Sequence, residues 1–400
     1  MTAAPGIFIP AVTLTAGTDA GTDATRAASV GQPAATVNHV HVTLSDGGQM
    51  PSVGLGTWLT VGQACYDLVM SGLRAGLRHI DTSENYQNHE EIGRAMADSG
   101  VLRSEIFLAD KLSFPQSYSA EGVRKSVGEA LRKMKTEYID LYMLHSIGPS
   151  TAARHEAWRE MVALQKEGTL RHIGVSNFGT AELRELKASF PDAPPVTLQA
   201  KYSPYHRGRT GNAAGEDFLT ASSELGVVIT AYCPLNDWPS KLKAVDDHHV
   251  AAIAARLGKT PAQVILRWGV QLGLAMLTRS SKPERLEQAA NLDFEISEPE
   301  MARISGLAWF ALSPTNGVPA TVLDTFKPNP NPNPNPNPNP NPNPNPNPNP
   351  NQVLDTFGVV ARDEKAYKHV PRSLATFDAP IKACDMAWNL IAENNKKAEL

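Results

Sequence analysis

Cysteine is scarce in this chain. Cys65, Cys233 and Cys384 are its three among 400 residues. Their number and wide separation exclude a disulfide framework and a cysteine metal cluster, and fit a reducing compartment. Charge imbalance is also small. A formal net charge of −4 supplies no basic field for nucleic acid or an acidic membrane. No apolar run approaches the roughly 20 residues that a membrane span needs. The first 38 residues have no charged start followed by a compact apolar run, so a secretory signal fits poorly. They are hydroxyl-rich, as a transit peptide is. However, Arg26 is their only basic side chain, and Asp19 and Asp23 oppose that reading. We expect residues 1–38 to be a poorly ordered extension and the protein to be cytoplasmic, an organellar address being the weaker alternative.

What the chain does have is alternation. From His39, HVHVTL reads as a strand, SDGG as a turn, and QMPSVGLGTW as a second apolar segment: a hairpin leading into a strand at Val53–Gly56. Helical and strand patterns then alternate every thirty to forty residues or so, as βα units do. Helices are expected at 62–75, 88–98, 119–134, 154–167, 180–189, 214–225, 246–257 and 282–290. The strands between them are expected at 77–81, 106–111, 138–144, 171–175, 196–200, 227–231 and 274–278. An extra helix fills 261–272, where Thr260 caps and Pro261 opens the first turn. Eight successive units predict a (β/α)8 TIM barrel over residues 39–312. An open doubly wound sheet would carry a third glycine and an acidic partner after GLGTW, and neither is present.

The regular alternation stops after Leu307. Residues 328–351 are strict Pro-Asn repetition, with nothing apolar to bury and half the backbone N–H groups missing. The sequence VLDTF stands on both sides of it, at 322–326 and 353–357, which suggests an expansion within an existing tail. We therefore divide the remainder into a low-complexity linker, 313–357, and a C-terminal tail, 358–400, with one amphipathic stretch.

Functional side chains of a (β/α)8 barrel sit at the carboxyl ends of the strands. GLRHIDTSENY, 76–86, runs from a buried strand into a polar loop carrying Asp81 and Tyr86. IFLADK ends on Lys111, and YIDLYMLH ends on His145. Each alone reads plainly: a helix cap, a surface phenol, a lysine reaching past a strand end, a hydrogen-bonded core histidine. Four such groups on consecutive strand ends would meet at one mouth, where burying them is costly unless they pair or work.

Taken in order, these segments resemble the aldo-keto reductase superfamily, NADPH-linked carbonyl reductases built as (β/α)8 barrels. The resemblance covers about residues 39–307. It implies Asp81, Tyr86, Lys111 and His145 as the catalytic set. GVSNF, 174–178, would supply Ser176 and Asn177 to the nicotinamide carboxamide, with Gln199 adding a further contact. AYCPL, 231–235, would place Tyr232 against the nicotinamide ring beside Cys233 and Leu235. TRSSKPER, 278–285, would bring Arg279, Ser280 and Arg285 to the 2′-phosphate of NADPH. Gly56 and Thr57 join the cofactor set, and Trp58 with His145 the substrate wall. No metal is implied.

The chemistry is coherent. A phenol titrates near 10, and Lys111 beside Tyr86 would lower that value and make the phenol a better general acid. Asp81 would hold Lys111 charged, and His145 would orient the carbonyl. The expected partner is a small carbonyl substrate, with no nucleic acid and no membrane, acting on a monomer. The alternative is an NADPH-binding regulatory or scaffold protein on the same barrel, similar to the potassium-channel β-subunits. The sequence departs from the family in five places. Arg279 replaces a common Lys, Ser146 and Ile147 replace Trp-Pro after His145, and Leu112 and Ser113 follow Lys111 where an aromatic is usual. Cys233 replaces Ser, and the loop after the fourth strand is short.

Overall fold

The computed structural model describes residues 40–207, 218–235 and 243–307. The expected extension at 1–38, the linker at 313–357 and the tail at 358–400 lie outside the described residues, as do 308–312 of the expected barrel domain.

The chain opens on a two-stranded antiparallel hairpin, β1 (His41–Thr43) and β2 (Gln49–Pro51). Its turn needs Gly47 at φ +89°, and Asp46 Oδ1 accepts the Gly48 N–H at 3.1 Å. Eight parallel strands follow: β3 (Val53–Gly56), β4 (His79–Asp81), β5 (Phe107–Leu112), β6 (Ile139–Leu144), β7 (Leu170–Ser176), β8 (Thr197–Lys201), β9 (Val228–Tyr232) and β10 (Ala275–Thr278). They pair in sequence order, and β10 closes on β3. The expected (β/α)8 barrel is therefore present, with its hairpin.

Strand periodicity divides the barrel. Leu55, Ile80, Leu108, Tyr142, Ile173, Leu198, Ile229 and Met276 face outward into one apolar core with the helices. Phe107, Ala109, Leu141, Met143 and Ala275 face inward and form a second cluster with Val42, Leu44 and Met50 of the hairpin segment. The hairpin thus plugs the amino-terminal mouth. It is pinned there by Asp46, whose Oδ2 lies 2.7 Å from His172 Nδ1.

The helical layer comprises α1 (Gly62–Arg74), α2 (His89–Asp98), α3 (Ala120–Met134), α4 (Thr151–Lys166), α5 (Thr180–Ser189), α6 (Phe218–Leu225), α7 (His248–Leu257), α8 (Pro261–Gln271), α9 (Pro283–Ala290) and α10 (Glu298–Gly306). Their starts follow capping chemistry. Ser119 Oγ accepts the Gly122 N–H at 3.1 Å, Ser150 Oγ accepts from Ala153 at 3.1 Å, and Thr260 forms a capping box with Gln263.

Several expected boundaries move. The second strand begins at His79 rather than 77, because the Leu77 N–H is spent on Gly72 O at 2.9 Å, closing the helix-to-strand turn. The helix expected from 246 begins at His248, because the Asp247 carboxylate caps His249 and Val250. The fourth helix begins earlier, at Thr151, under the Ser150 cap. Residues 214–217 of the helix expected at 214–225 are outside the described residues. Helix α10 was not expected. Its signal was present in Ser297, Pro299 and Glu300, a capping box with proline in the first turn.

Close approach of α2 to α3 depends on Gly93. A Cβ there would lie 2.7 Å from Met134 Cα and 2.8 Å from Lys133 O, both backbone atoms. Gly93→Ala should therefore destabilise the protein by about 1–3 kcal/mol in urea unfolding. Gly128→Ala, where nothing lies within 4 Å of the added Cβ, should stabilise it by about 0.5–1 kcal/mol. Equal effects of the two substitutions would refute this account of the helix contact.

Candidate active site

The inward alternation that is apolar at the hairpin end turns polar at the carboxyl end. On β5 it runs Phe107, Ala109, Lys111; on β4 it runs His79, Asp81; on β8 it reaches Gln199 and on β7 Ser176. His145 is one residue past β6 and continues the series Leu141, Met143. Of these, Asp81, His145, Ser176 and Gln199 line a cavity of about 610 Å³ at the carboxyl mouth.

At its floor, Lys111 Nζ lies 2.7 Å from Asp81 Oδ1 and donates to Thr82 O at 2.7 Å. The two side chains are 0% and 4% exposed, so the pair is fully withdrawn from water. Gln199 Nε2 donates to the second carboxylate oxygen, Asp81 Oδ2, at 2.7 Å. The Thr57 hydroxyl and N–H both donate to Asp81 O, at 2.9 and 3.1 Å, which fixes the strand end itself. Above the pair, Lys111 Nζ sits 4.9 Å from the centre of the Tyr86 ring. Tyr86 meets His145 edge-on, ring centres 5.9 Å apart. Burial and the Lys111 ammonium hold the His145 imidazole well below its usual pKa, so it is neutral.

The opposite wall is a second hydrogen-bonded group. Asn177 Nδ2 donates to His145 O at 2.9 Å, and the Tyr232 hydroxyl donates to Asn177 Oδ1 at 2.9 Å. Asn177 and Cys233 both adopt left-handed backbone, φ 57° and 53°. Leu59 and Gln87, on the rim, do the same at 61° and 57°. Four of the five non-glycine residues with positive φ among the described residues thus line this cavity. Such conformations cost about 1–3 kcal/mol each and gather where a site constrains the backbone.

Of the residues singled out from sequence, Gly56, Trp58, Asp81, Tyr86, His145, Ser176, Asn177, Gln199, Tyr232, Cys233, Leu235 and Arg279 line the cavity. Lys111 and Thr57 stand directly behind its wall, bonded to Asp81. Ser280 and Arg285 are not in the wall: Ser280 Oγ accepts the Lys282 N–H at 3.1 Å, and Arg285 lies in the first turn of α9. Arg279 Nη1 donates to Trp58 O, joining the ends of β3 and β10 across the rim. Sequence reading missed Ser83, Asn85 and Ser113. Their hydroxyl and amide groups cluster behind His145, and Ser113 drew notice only as a missing aromatic. The rim residues Leu59, Val61 and Gln87 carried no sequence signal, since none has a chemistry that asks for a site.

Among the described residues no group of three or more His, Cys, Asp or Glu is arranged to hold a metal ion, and no helix is long and apolar enough to cross a membrane. A nicotinamide cofactor fits the donor set. Amide and hydroxyl groups of Ser176, Asn177 and Gln199 stand beside the flat face of Tyr232, with a guanidinium at the rim. A Cβ on Gly56 would meet only Thr278 O, at 3.8 Å, so the floor beside it is open.

A closed parallel barrel with an acid–base cluster and a cofactor-sized cavity at its carboxyl mouth is the architecture of a (β/α)8 oxidoreductase. Comparison with known proteins makes this specific: the Aldo/keto reductase family model matches residues 52–308, and the chain belongs to that family. An aldo-keto reductase of Mycolicibacterium smegmatis is 34% identical over 268 residues, 66% of this chain and 92% of that protein. The crystal structure of an aldo/keto reductase from Brucella melitensis has a TM-score of 0.61 at 31% identity, covering 67% of this chain and 99% of that one. A Bombyx mori aldo-keto reductase, solved in complex with NADP, has a TM-score of 0.59 at 28% identity, covering 67% of this chain and 92% of that one.

Two outcomes follow from this geometry. Asp81→Asn removes the only carboxylate, among the described residues, bonded to Lys111 Nζ, and should cost about 3–5 kcal/mol in urea unfolding, because a buried ammonium loses its partner. His145, depressed from 6.5, should stay neutral in an NMR titration until well below that pH. Its contribution to stability is then full above pH 6.5 and falls as pH drops, because the unfolded chain takes up the proton first. A His145 that titrates at or above 6.5 would contradict this.

Proposed function

We propose that the protein reduces aldehydes and ketones to alcohols with NADPH as hydride donor. The observation that carries this reading is the convergence of Asp81, Lys111, Tyr86 and His145 at one barrel mouth, with an ion pair of 2.7 Å beneath the phenol ring and a neutral imidazole beside it. The bound cofactor would supply the hydride, and everything else falls to the chain. Tyr86 gives its proton to the oxygen of the reduced carbonyl. Lys111 lies close enough to stabilise the phenolate left behind. Asp81 keeps Lys111 charged and fixed. His145, being neutral, donates a hydrogen bond that orients the carbonyl without competing as an acid.

Cofactor contacts are assigned on the same basis. Ser176, Asn177 and Gln199 would hold the carboxamide. Gln199 Nε2 is committed to Asp81, so its carbonyl oxygen is the group it offers. The Tyr232 ring gives an apolar face, flanked by Cys233 and Leu235, with Gly56 and Thr57 at the opposite strand end. Arg279 would leave Trp58 O for the 2′-phosphate, a planar fork suited to that group; Ser280 and Arg285, just beyond the wall, would complete the anion site. Trp58 and His145 would border the substrate. The scaffold alternative draws no support from the three relatives named above, which are reductases.

Tyr86→Phe tests the reading. Oxidation of NADPH in the presence of a panel of aldehydes should fall by about 10²- to 10⁴-fold, while NADPH binding, followed by fluorescence, is retained. A wild-type protein that binds NADPH tightly and turns over none of the panel would overturn it. Arg279→Ala should weaken NADPH binding by about 10- to 100-fold and leave NADH nearly unchanged, as loss of a charged hydrogen bond does. An equal effect on both cofactors would remove Arg279 from the phosphate site.

A further inference from the structure

The face of His145 turned away from the cavity meets no backbone carbonyl that would fix its proton. Its Nδ1 lies 2.7 Å from Ser113 Oγ and 3.0 Å from Ser83 Oγ. The two serine oxygens are 2.5 Å apart. Beyond them stands the Asn85 carboxamide, at the cavity edge, with its Oδ1 2.8 Å from Ser83 Oγ and 3.1 Å from Ser113 Oγ; Lys111 O is a further acceptor 3.5 Å from Ser83 Oγ. The cluster is held from below by Glu84. Its Oε2 accepts the N–H groups of Ser113 and Phe114 at 2.9 and 3.3 Å, and Oε1 accepts the Ser117 hydroxyl at 3.2 Å.

An unbroken relay through Asn85, Ser83, Ser113 and Nδ1 can run in two directions. Each serine has one O–H to give, and a neutral imidazole has one N–H. In the first state, the Asn85 carboxamide is turned over from the orientation in which Oδ1 faces the serines, so that its NH2 donates to Ser83, Ser83 donates to Ser113, and Ser113 donates to Nδ1. The imidazole proton then sits on Nε2, the ring nitrogen on the cavity side. In the second, Nδ1 carries the proton and donates to Ser113, Ser113 to Ser83, and Ser83 to Asn85 Oδ1. The cavity then meets a bare Nε2, which can accept a hydrogen bond but not donate one. The two states differ by a half-turn of one carboxamide and a concerted reversal of two hydroxyls.

We propose that Ser83, Ser113 and Asn85 are positioning residues that set the tautomer of His145, holding its proton on Nε2 so that it can donate to a carbonyl oxygen in the cavity. This rests on the reduction proposed above, because only a hydrogen-bond donor at that nitrogen orients a carbonyl. Asn85 is the residue that decides, since it closes the relay at the end away from His145 and its carboxamide can face the serines with either a donor or an acceptor. An aspartate there could only accept, and would draw the relay into the second state.

The test begins without a variant. Two-bond 1H–15N correlation spectra of the full chain labelled with 15N-histidine, with His145 assigned by His145→Asn, should show the Nε2–H tautomer at neutral pH. An Nδ1–H signature would overturn the proposal whether or not the protein reduces carbonyls. The kinetic arm uses Asn85→Asp, Ser113→Ala and Ser113→Thr. Asn85→Asp should convert His145 to the Nδ1–H or cationic form. It should lower kcat by about 10- to 100-fold, as loss of outer partners of a functional histidine does, with NADPH affinity retained. Ser113→Ala should lower kcat, and Ser113→Thr, which keeps the hydroxyl, should restore most of it. Equal impairment by alanine and threonine, or a tautomer unchanged in Asn85→Asp, would overturn the relay. If the wild type reduces no carbonyl, the reduction reading fails on that result, and the spectra still decide the tautomer.

Discussion

Everything at the carboxyl mouth is arranged around the buried pair Lys111–Asp81. An ammonium withdrawn from water is tolerable only with its charge matched and its remaining N–H groups bonded. The charge is matched and two of the three N–H groups are bonded across separate strands: Asp81 comes from the end of β4, Thr82 O from the residue after it, and the Gln199 amide that fills the other carboxylate oxygen from β8. The pair therefore links strands on two sides of the lumen. It also explains two other features. His145 stays neutral in part because Lys111 repels a second positive charge, and Tyr86 can lie over an ammonium because that ammonium is held down by its carboxylate.

The same barrel interior carries apolar packing and buried charge without conflict because the two occupy different levels. On β5, moving four residues along the inward face passes from Phe107, packed on the hairpin, to Lys111 in the site. On β6 it passes from Leu141 to His145. The hairpin seals the lower level with Val42, Leu44 and Met50, so water reaches only the upper one. Even the lower level holds an imidazole. His79 is buried with its Nδ1 3.2 Å from Pro51 O, and burial lowers its pKa so that it rests neutral. A closed barrel can keep such groups fixed because no strand edge is free to slip.

The sequence was most legible where chemistry interrupts periodicity. Asp81, Lys111 and His145 each end an apolar strand, and that cost is visible without coordinates. The barrel itself followed from the count of βα units. Less legible was whatever depends on distance between loops. Ser83 and Ser113 are 30 residues apart and touch only because β4 and β5 are neighbours. Serine in a loop asks for nothing on its own. Backbone strain was equally silent: Cys233 and Leu59 adopt positive φ, which neither side chain favours. The anion segment was read as one unit, but geometry separates Arg279, in the wall, from Ser280 and Arg285, outside it. Helix α10 went unread because its capping signal, Ser297 to Glu300, sits beyond the last strand, where no further βα unit was sought.

The departures from the family pattern are connected in space. A serine follows Leu112 where an aromatic is usual, and another follows His145 in place of tryptophan. Neither leaves a hole. Ser113 turns its hydroxyl to His145 Nδ1, and the Ser146 backbone carbonyl accepts the Tyr118 hydroxyl at 2.7 Å. Tyr118, itself buried, is further locked by the close approach of Gly148, where an added Cβ would meet its ring at 2.6 Å. The exposed apolar surface lies at the rim, where Trp58 borders the cavity and Leu59 and Val61 are 49% and 56% exposed. Shape at such a rim can be altered without touching the buried pair, since the hydrogen bonds that hold Lys111 come from Asp81 and Thr82 and none from the rim. The buried pair and the rim are therefore structurally separable.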